Sequence, residues 1–588
     1  MAKWFVAAKR ADFTKIGQEF GISPVLARII RNRDIIEEEE IRRYLQGTIA
    51  DMYAPGLLKD MEKAVDILLD KIKTGRPIRI IGDYDADGIC STFILHKGLL
   101  RAGATADTAI PHRMKDGYGL NEHLVEDAFQ AGIDTIITCD NGIAAAPQIE
   151  MAKEKGMTVI VTDHHEVPYE EAEGERRYIL PPADAVIDPR QDGDAYPYKG
   201  ICGAVVAYKV IEALYRKLEL TQKEKSLLEE LLELAAFATV CDVMELLDEN
   251  RVIVKFGLSH MKNTANQGLR ALMEVNGIEK GKLSAYHLGF VMGPCLNATG
   301  RLDTAVRALQ LLEAEDRGEA VRIASDLKQL NDSRKEMTDI YVKKAIRTVE
   351  ESGLMQDRVL VVYLPDCHES LAGIIAGRVR EKYYKPVFVL TRGEEGVKGS
   401  GRSIETYHMY EEMTRVKHLF TSTAAINGCG PVFGGEGCGK LPEEINAVCT
   451  LTESDMEERV HIDVPMPVSH VSMEFVQELE LLEPFGNGNP KPVFAQKDLS
   501  FLSARILGKN GNAVRFTVLD DCQTKWEMMA FGDPEPMNAY LEKKFGREAV
   551  ERLYLGKSQD IRLSVTYYPS INTYQGNTKL QLVMQQYQ

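Results

Sequence analysis

Ile80-Ile81-Gly82-Asp83-Tyr84-Asp85-Ala86-Asp87-Gly88 places three carboxylates at alternate positions directly after an apolar run. Pro77–Ile81 reads as a buried strand and Gly88–Leu100 as the helix that follows it. Three anions this close repel one another unless hard divalent cations bridge them. Gly82 and Gly88 permit the tight turns and close backbone approach that such a loop needs. The segment lacks the helix-loop-helix setting and terminal Glu of an EF-hand.

Working outward, Thr135–Cys139 and Thr158–Thr162 are two more short apolar runs, separated by a helix-like stretch around Ala144–Lys155. Met61–Leu69 has helical periodicity on the other side. Short buried strands alternating with helices predict a parallel α/β sheet, whose ligands gather at the C-terminal strand ends. The notable residues stand there: Asp140-Asn141-Gly142 after one strand and Asp163-His164-His165 after the next. Asp242 follows the apolar run Leu234–Val240. Taken alone, Asp140 or Asp242 reads as a helix cap. Asp163-His164-His165 does not, because neutral imidazoles ligate manganese-class metals beside oxygen donors. Together these residues describe a mixed Asp/His dinuclear centre. Its oxygen-rich ligation favours two Mn²⁺ or Mg²⁺ ions over zinc, with metal-activated water cleaving a phosphodiester. No Gly-x-Ser-x-Gly stands in the chain, so a serine triad is not indicated.

At 588 residues the chain exceeds one hydrophobic core and predicts several domains. With 44% hydrophobic and 27% charged residues it reads as a soluble, folded protein. The first residues lack a signal-peptide run, and no uncharged apolar stretch is long enough for a bilayer. The expectation is a cytoplasmic protein with no membrane. The ten cysteines form no CxxC pair and read as reduced, buried small residues. A net charge of −17 argues against broad coating of nucleic acid but leaves room for a local basic groove.

The expected organisation is an N-terminal region over 1–54, a catalytic α/β domain over 55–320 and a connecting helix over 321–350. A second α/β domain over 351–465 and a linker with a small β-barrel over 466–588 complete it. Glu37–Arg43 should face solvent on a helix, with Ile35, Ile36 and Ile41 turned inward. Leu227–Ala238 and the long, charged Ile323–Thr348 read as helices, and Arg358–Leu364 opens the second α/β domain. Val514–Leu519, Ile561–Tyr567 and Leu580–Met584 alternate as barrel strands do, between turns rich in Gly, Asn and Pro.

At these motifs the chain resembles the DHH phosphoesterase superfamily, and within it the bacterial exonucleases specific for single-stranded DNA. Asp163-His164-His165 is the eponymous motif, and Gly82–Gly88 matches the first motif. Pro111-His112-Arg113 with Asp116–Leu120, Asp140–Gly142, Cys241-Asp242 and Gly293–Arg301 continue the order. His368-Glu369, Arg378 and Gly399–Ser403 look like signatures of the accessory DHHA1 domain, and Glu483–Pro490 leads into the terminal barrel.

The resemblance implies that Asp83, Asp85, Asp87, Asp140, His164 and Asp242 hold the metals, with His165 assisting at the scissile phosphate. It implies that Arg113, Asn297, Arg301, His368, Arg378, Ser400, Arg402 and Ser403 face substrate, the arginine forks matching phosphate oxygens. It further implies a C-terminal OB-fold, for which Phe516, Tyr568, Tyr574 and Lys579 are candidate strand-binding residues. The activity implied is 5′→3′ hydrolysis of single-stranded DNA to 5′-mononucleotides in recombination and repair. The implied protein is a monomer, with a single-strand-binding protein and a RecQ-like helicase as plausible partners. Two other readings are a DHH phosphodiesterase acting on short RNA or cyclic dinucleotides and a noncatalytic single-strand-binding protein. The extra domain and barrel favour a longer polymer substrate, and the full acidic cluster favours catalysis.

One segment departs from the family. Where the accessory domain carries Gly-Gly-His followed by Ala-Ala-Gly, Thr421–Lys440 is rich in Gly and Cys and has no histidine. Codons for Thr423–Ile426 and Asn427–Gly430 can encode those missing motifs in shifted frames, which reads as a local frame disturbance. Reading the coding DNA in three frames tests it.

Overall fold

The five strands that carry the first motifs are β1 (Ile78–Ile81), β2 (Ala106–Ala109), β3 (Thr135–Cys139), β4 (Thr158–Thr162) and β5 (Ala185–Ile187). In the computed structural model they form one parallel sheet in the order β2-β1-β3-β4-β5. The structure describes residues 2–113, 116–172, 175–218, 222–393, 396–422, 432–433, 435–508, 511–557, 560–574 and 577–588. The register aligns Ile81 with Thr138, Cys139 with Thr162, and Thr162 with Ile187. Four strands therefore end nearly level, and the loops that follow them open on one edge.

Helices cover the sheet. Chief among them are α1 (Ala86–Arg101), α2 (Gly203–Lys217) and α3 (Gln222–Cys241), which pack on one another. Ile89, Phe93, Leu95, Val206, Val210, Leu231 and Phe237 lie in this core. Helix α1 is apolar nearly all round because its neighbours enclose it. The chain then runs through α4 (Gly293–Leu302) into α5 (Arg317–Glu351), a 35-residue helix about 52 Å long. Helix α5 packs against α4 at one end and against α6 (Ala372–Tyr383) of the second α/β domain further along, so it braces both. The second domain is a mixed five-stranded sheet in which Leu360–Tyr363 runs parallel to Val387–Gly393 and the latter pairs antiparallel with Gly396–Arg402. The frame-disturbance candidate Thr423–Gly430 lies outside the described residues.

Thr48–Met456 forms one compact unit; Met1–Gly47 and Glu457–Gln588 together form another. In the second unit, strands 494–507, 513–519, 525–531, 577–587 and 561–574 run in that order, and pairing of the first with the last closes the barrel. Phe494, Phe501, Phe516 and Tyr567 fill its interior. The N-terminal helices are tied to the barrel approach through one buried amide. Asn489 accepts from Arg33 Nε (2.6 Å) and Tyr44 hydroxyl (2.9 Å) and donates to the Leu482 and Pro484 carbonyls. Lys3–Val6 pairs parallel with Arg459–Ile462. Ile35 and Ile41 are buried as expected, but Ile36 is 53% exposed. Ile36 precedes the helix Glu38–Gln46, where consecutive side chains of extended backbone point to opposite sides. No helix among the described residues is long and apolar enough to cross a membrane.

Candidate metal centre

The loop after β1 folds tightly because two glycines let it. A Cβ on Gly82 would stand 1.9 Å from Thr92 Oγ1, and one on Gly88 would stand 2.5 Å from the Asp83 carbonyl oxygen. Asp85 caps α1, accepting from the Asp87 and Gly88 amides at 2.9 and 3.1 Å. Asp87, on the first turn of α1, accepts from Gly203 and Ala204 at the N-terminus of α2 (2.7 and 2.8 Å). Asp87 is thus clamped by the positive end of a helix that approaches from the other side.

His164 draws the remaining donors together. Its Nε2 lies 3.0 Å from Asp140 Oδ1, 3.6 Å from Asp87 Oδ2 and 3.8 Å from Asp242 Oδ2. Among the described residues three overlapping groups have ligand atoms within 4.8 Å of one another: Asp140, His164 and His165; Asp87, His164 and Asp242; Asp83, Asp85 and Asp140. Every metal-site candidate is in this set, so one strand loop, two strand ends and a helix terminus converge.

Burial, then the charge of neighbouring carboxylates, pushes Asp83, Asp85 and Asp140 above the usual carboxylate range and Asp242 up to about 8. Burial likewise pushes the His164 imidazole down, leaving it neutral and able to donate a lone pair. Among the described residues neither oxygen of the fully buried Asp83 has a hydrogen-bond partner of good geometry, the Tyr84 and Gly119 amides being its nearby donors. Under-satisfied buried oxygens within an oxygen-rich donor set fit two hard divalent cations, whose charge would reverse the repulsion.

His165 is built differently. Burial would lower it, but the bond from its Nδ1 to Asp163 (2.7 Å) and the charges of Asp163, Asp242 and Asp87 lift it to about 9. Asp163 is itself fixed by the Ile143 and His164 amides. Tyr118 donates to the Asp140 carbonyl, and its hydroxyl lies 3.2 Å from His165 Nε2, so the protonated ring donates to that oxygen. His165 is therefore held by hydrogen bonds at both ring nitrogens beside the donor cluster. Sequence reasoning passed over Tyr118, Asp163 and Asp188 as individual site residues. Asp188 follows β5 as Asp140 follows β3, and burial followed by the nearby Asp163 charge pushes it up to about 8. The same strand-then-aspartate pattern holds there, but on a strand of only three residues.

A cleft of about 790 Å³ adjoins the cluster, lined by Asp83, Asp85, Arg113, His165, Asn297 and Arg301 among others. Arg113 lies 4.7 Å over the Tyr84 ring. Asn297 accepts from the Ala86 amide (2.8 Å) and so anchors the start of α1. Arg301 donates to the Ser370 carbonyl across the two α/β domains, and the Ser370 hydroxyl meets His368 Nδ1 at 2.7 Å. Burial and the neighbouring Arg113 and Arg334 charges lower Arg301 to about 10. Arg334, on α5, is a further cation here that the motifs did not flag. Ser400 and Arg402 pack beside the first turn of α6, where a Cβ on Gly373 would meet Ser400 Oγ at 2.8 Å and Arg402 Nη2 at 3.1 Å. Arg378 is exposed on α6, and the Ser403 hydroxyl turns back to the Tyr407 carbonyl. In the barrel, Phe516 is buried against Phe501 (5.2 Å) and offers no free face, because its side of the strand lines the core. Tyr568 packs by Phe485 and Lys491, Lys579 is exposed, and the Tyr574 side chain lies outside the described set.

Comparison with known proteins agrees with this geometry. The model for the DHH family N-terminal domain matches residues 77–239, and the RecJ OB domain model matches 462–586. The chain is 33% identical over 525 residues to the single-stranded-DNA-specific exonuclease RecJ of Bacillus subtilis (strain 168), covering 88% of this chain and 64% of that one. It therefore spans just under two thirds of that relative. It is 32% identical over 507 residues to RecJ of Escherichia coli (strain K12), covering 83% of this chain and 85% of that protein. In fold it matches RecJ of Thermus thermophilus in complex with Mn²⁺, with TM-score 0.78, 24% identity, and 100% and 79% of the two chains covered. The structure of an exonuclease RecJ bound to manganese gives a TM-score of 0.58 at 29% identity, over 69% of this chain and 98% of that one. By its relatives and by the motifs that build its acidic cluster, the chain belongs to the RecJ family of single-stranded-DNA-specific exonucleases of the DHH superfamily.

Proposed function

We propose that this chain degrades single-stranded DNA from its 5′ end, hydrolysing phosphodiester bonds to release 5′-mononucleotides in recombination and repair. The observation that carries the reading is His164 Nε2 standing within 3.8 Å of carboxylates from three different elements. Asp83, Asp85, Asp87, Asp140, His164 and Asp242 would hold two Mn²⁺ or Mg²⁺ ions. When bound, such ions orient and acidify water and neutralise charge on the phosphoryl oxygens.

The chain's own groups do the rest. Asp163 holds the His165 ring at Nδ1, so the proton on Nε2, which rests on the Tyr118 oxygen, can pass to a phosphate oxygen that takes the place of that hydroxyl. Arg113 and Arg301 line the same cleft, and His368 is tied to Arg301 through Ser370, which suits them to grip backbone phosphates. Arg378, Ser400 and Arg402 extend this surface over the second α/β domain (residues 351–465), which we assign to substrate binding. Asn297 and Ser403 serve it by holding loops in place. Single-stranded DNA is the partner; a single-strand-binding protein and a RecQ-like helicase would deliver it, and a monomer suffices.

Incubation of 5′-labelled and 3′-labelled single strands with Mn²⁺ tests the reading, alongside single-stranded RNA and dinucleotides. Immediate release of labelled mononucleotide from the 5′ end, abolished in Asp85→Ala/Asp87→Ala, is expected. Undiminished activity in that variant would sink the proposed centre, and release from the 3′ end would sink the polarity.

A further inference from the structure

Helix α3 ends in a Schellman motif: the Met244 amide donates to the Thr239 carbonyl (3.1 Å) and the Val243 amide to the Val240 carbonyl (3.3 Å). The first residue beyond the cap of this motif takes left-handed backbone, which suits glycine and, next, asparagine. Here that residue is Val243, with φ of +56°. A β-branched side chain is among the poorest choices for this conformation. Core burial does not compensate, since Val243 is 66% exposed. Among the described residues eight non-glycines have positive φ; five are aspartates, and Val243 alone is β-branched.

The cap residue is Asp242, one of the metal-centre carboxylates. It differs from the donors on the first loop. Asp85 and Asp87 each accept two backbone amides, whereas no amide donates to the Asp242 carboxylate among the described residues, and it is 31% exposed. Asp242 is thus held in place chiefly by the helix end that carries it, and that helix end is strained.

We propose that Val243 is a positioning residue whose strain makes Asp242 the releasable arm of the metal centre. The inference rests on the two-metal reading of the site. Opening the cap lets Val243 return to ordinary backbone, so an ion held through Asp242 must first stabilise the closed cap. That ion, shared by Asp87, His164 and Asp242, binds more weakly and exchanges faster than the one held by Asp83, Asp85 and Asp140, a group without this arm.

Calorimetric Mn²⁺ titration of the full chain, with amide exchange across residues 239–244, tests this in Val243→Gly, Val243→Asn and Val243→Ala. Glycine and asparagine tolerate left-handed backbone and alanine does not, while all three remove the isopropyl group. In Gly and Asn the weaker Mn²⁺ phase should tighten by about 5- to 30-fold, the factor matching the left-handed penalty of an L side chain. Their cap amides should exchange more slowly, and Ala, which sheds only the β-branching, should tighten the phase by clearly less than Gly or Asn. Equal weak-phase affinity in wild type, Gly and Asn would overturn the proposal. So would tightening in Ala as large as in Gly, because the side chain rather than the strain would then be responsible. Absence of Mn²⁺ uptake by wild type and every variant would overturn the metal-centre reading itself, a different failure.

Discussion

Gly203→Ala should cripple catalysis without altering a charge. Gly203 opens α2, donates its amide to Asp87 and lies against Asp140. A Cβ there would sit 2.7 Å from Asp140 Cβ, 2.9 Å from its Oδ1 and 3.0 Å from its Cα. Ordinary carbon contacts lie at about 3.5–4.0 Å, so helix and aspartate must separate by roughly 1 Å. Asp140 cannot easily yield, because its backbone is left-handed (φ +60°) and its amide is bonded to the Thr162 carbonyl. If α2 retreats instead, the two amides that clamp Asp87 go with it. Overpacking of this kind costs about 1–3 kcal/mol in stability. Misplacing reacting groups by about 1 Å can cost on the order of 10²-fold in rate. We therefore expect kcat for nucleotide release at saturating Mn²⁺ to fall about 10²-fold, with a lowered melting temperature. Gly281→Ala is the control, since nothing lies within 4 Å of its added Cβ. A Gly203→Ala enzyme with kcat within about twofold of wild type would refute the claim that α2 and Asp140 fix this geometry.

Asp83→Asn should raise the melting temperature without metal, since it removes one member of a self-repelling cluster, and should abolish most of the stabilisation that Mn²⁺ gives wild type; thermal shift with and without Mn²⁺ reads both. His96 is raised above its ordinary value, first by its bond to Glu313 (2.8 Å), so the pair's stabilisation is full below about pH 6.5 and lost as pH rises through the raised value. Glu313→Gln should accordingly lower the melting temperature at pH 6 more than at pH 8.5, and equal losses would contradict the linkage. Phe516→Ala, a core truncation, should destabilise the barrel by about 3–5 kcal/mol in denaturant unfolding while leaving Mn²⁺ affinity unchanged.

The sheet and its acidic edge were legible because one rule generates both: a short apolar strand followed by an aspartate. The rule failed at Asp188 only because β5 is three residues long, too short to stand out as periodic. Asp242 broke it differently, reaching the cluster from a helix end whose geometry depends on backbone bonds rather than residue type. The clamp on Asp87 was invisible, since Gly203 and Ala204 lie 116 and 117 residues away and amides leave no mark in sequence. Alternation in the last strands predicted a barrel, yet aromatics such as Phe516 look alike in sequence whether they line a core or meet a ligand.

The Asn489 hub has a consequence for the order in which the chain is made. Arg33 and Tyr44 emerge from the ribosome more than 400 residues before the amide that binds them. Synthesis at about 5–20 residues per second opens a gap of tens of seconds. During that time Leu26, Ile29 and Ile30, all buried in the finished protein, await the barrel that completes their unit. This segment, translated long before the barrel, is thus among the last to be folded, and nascent chains halted before residue 489 should engage a holdase chaperone through it.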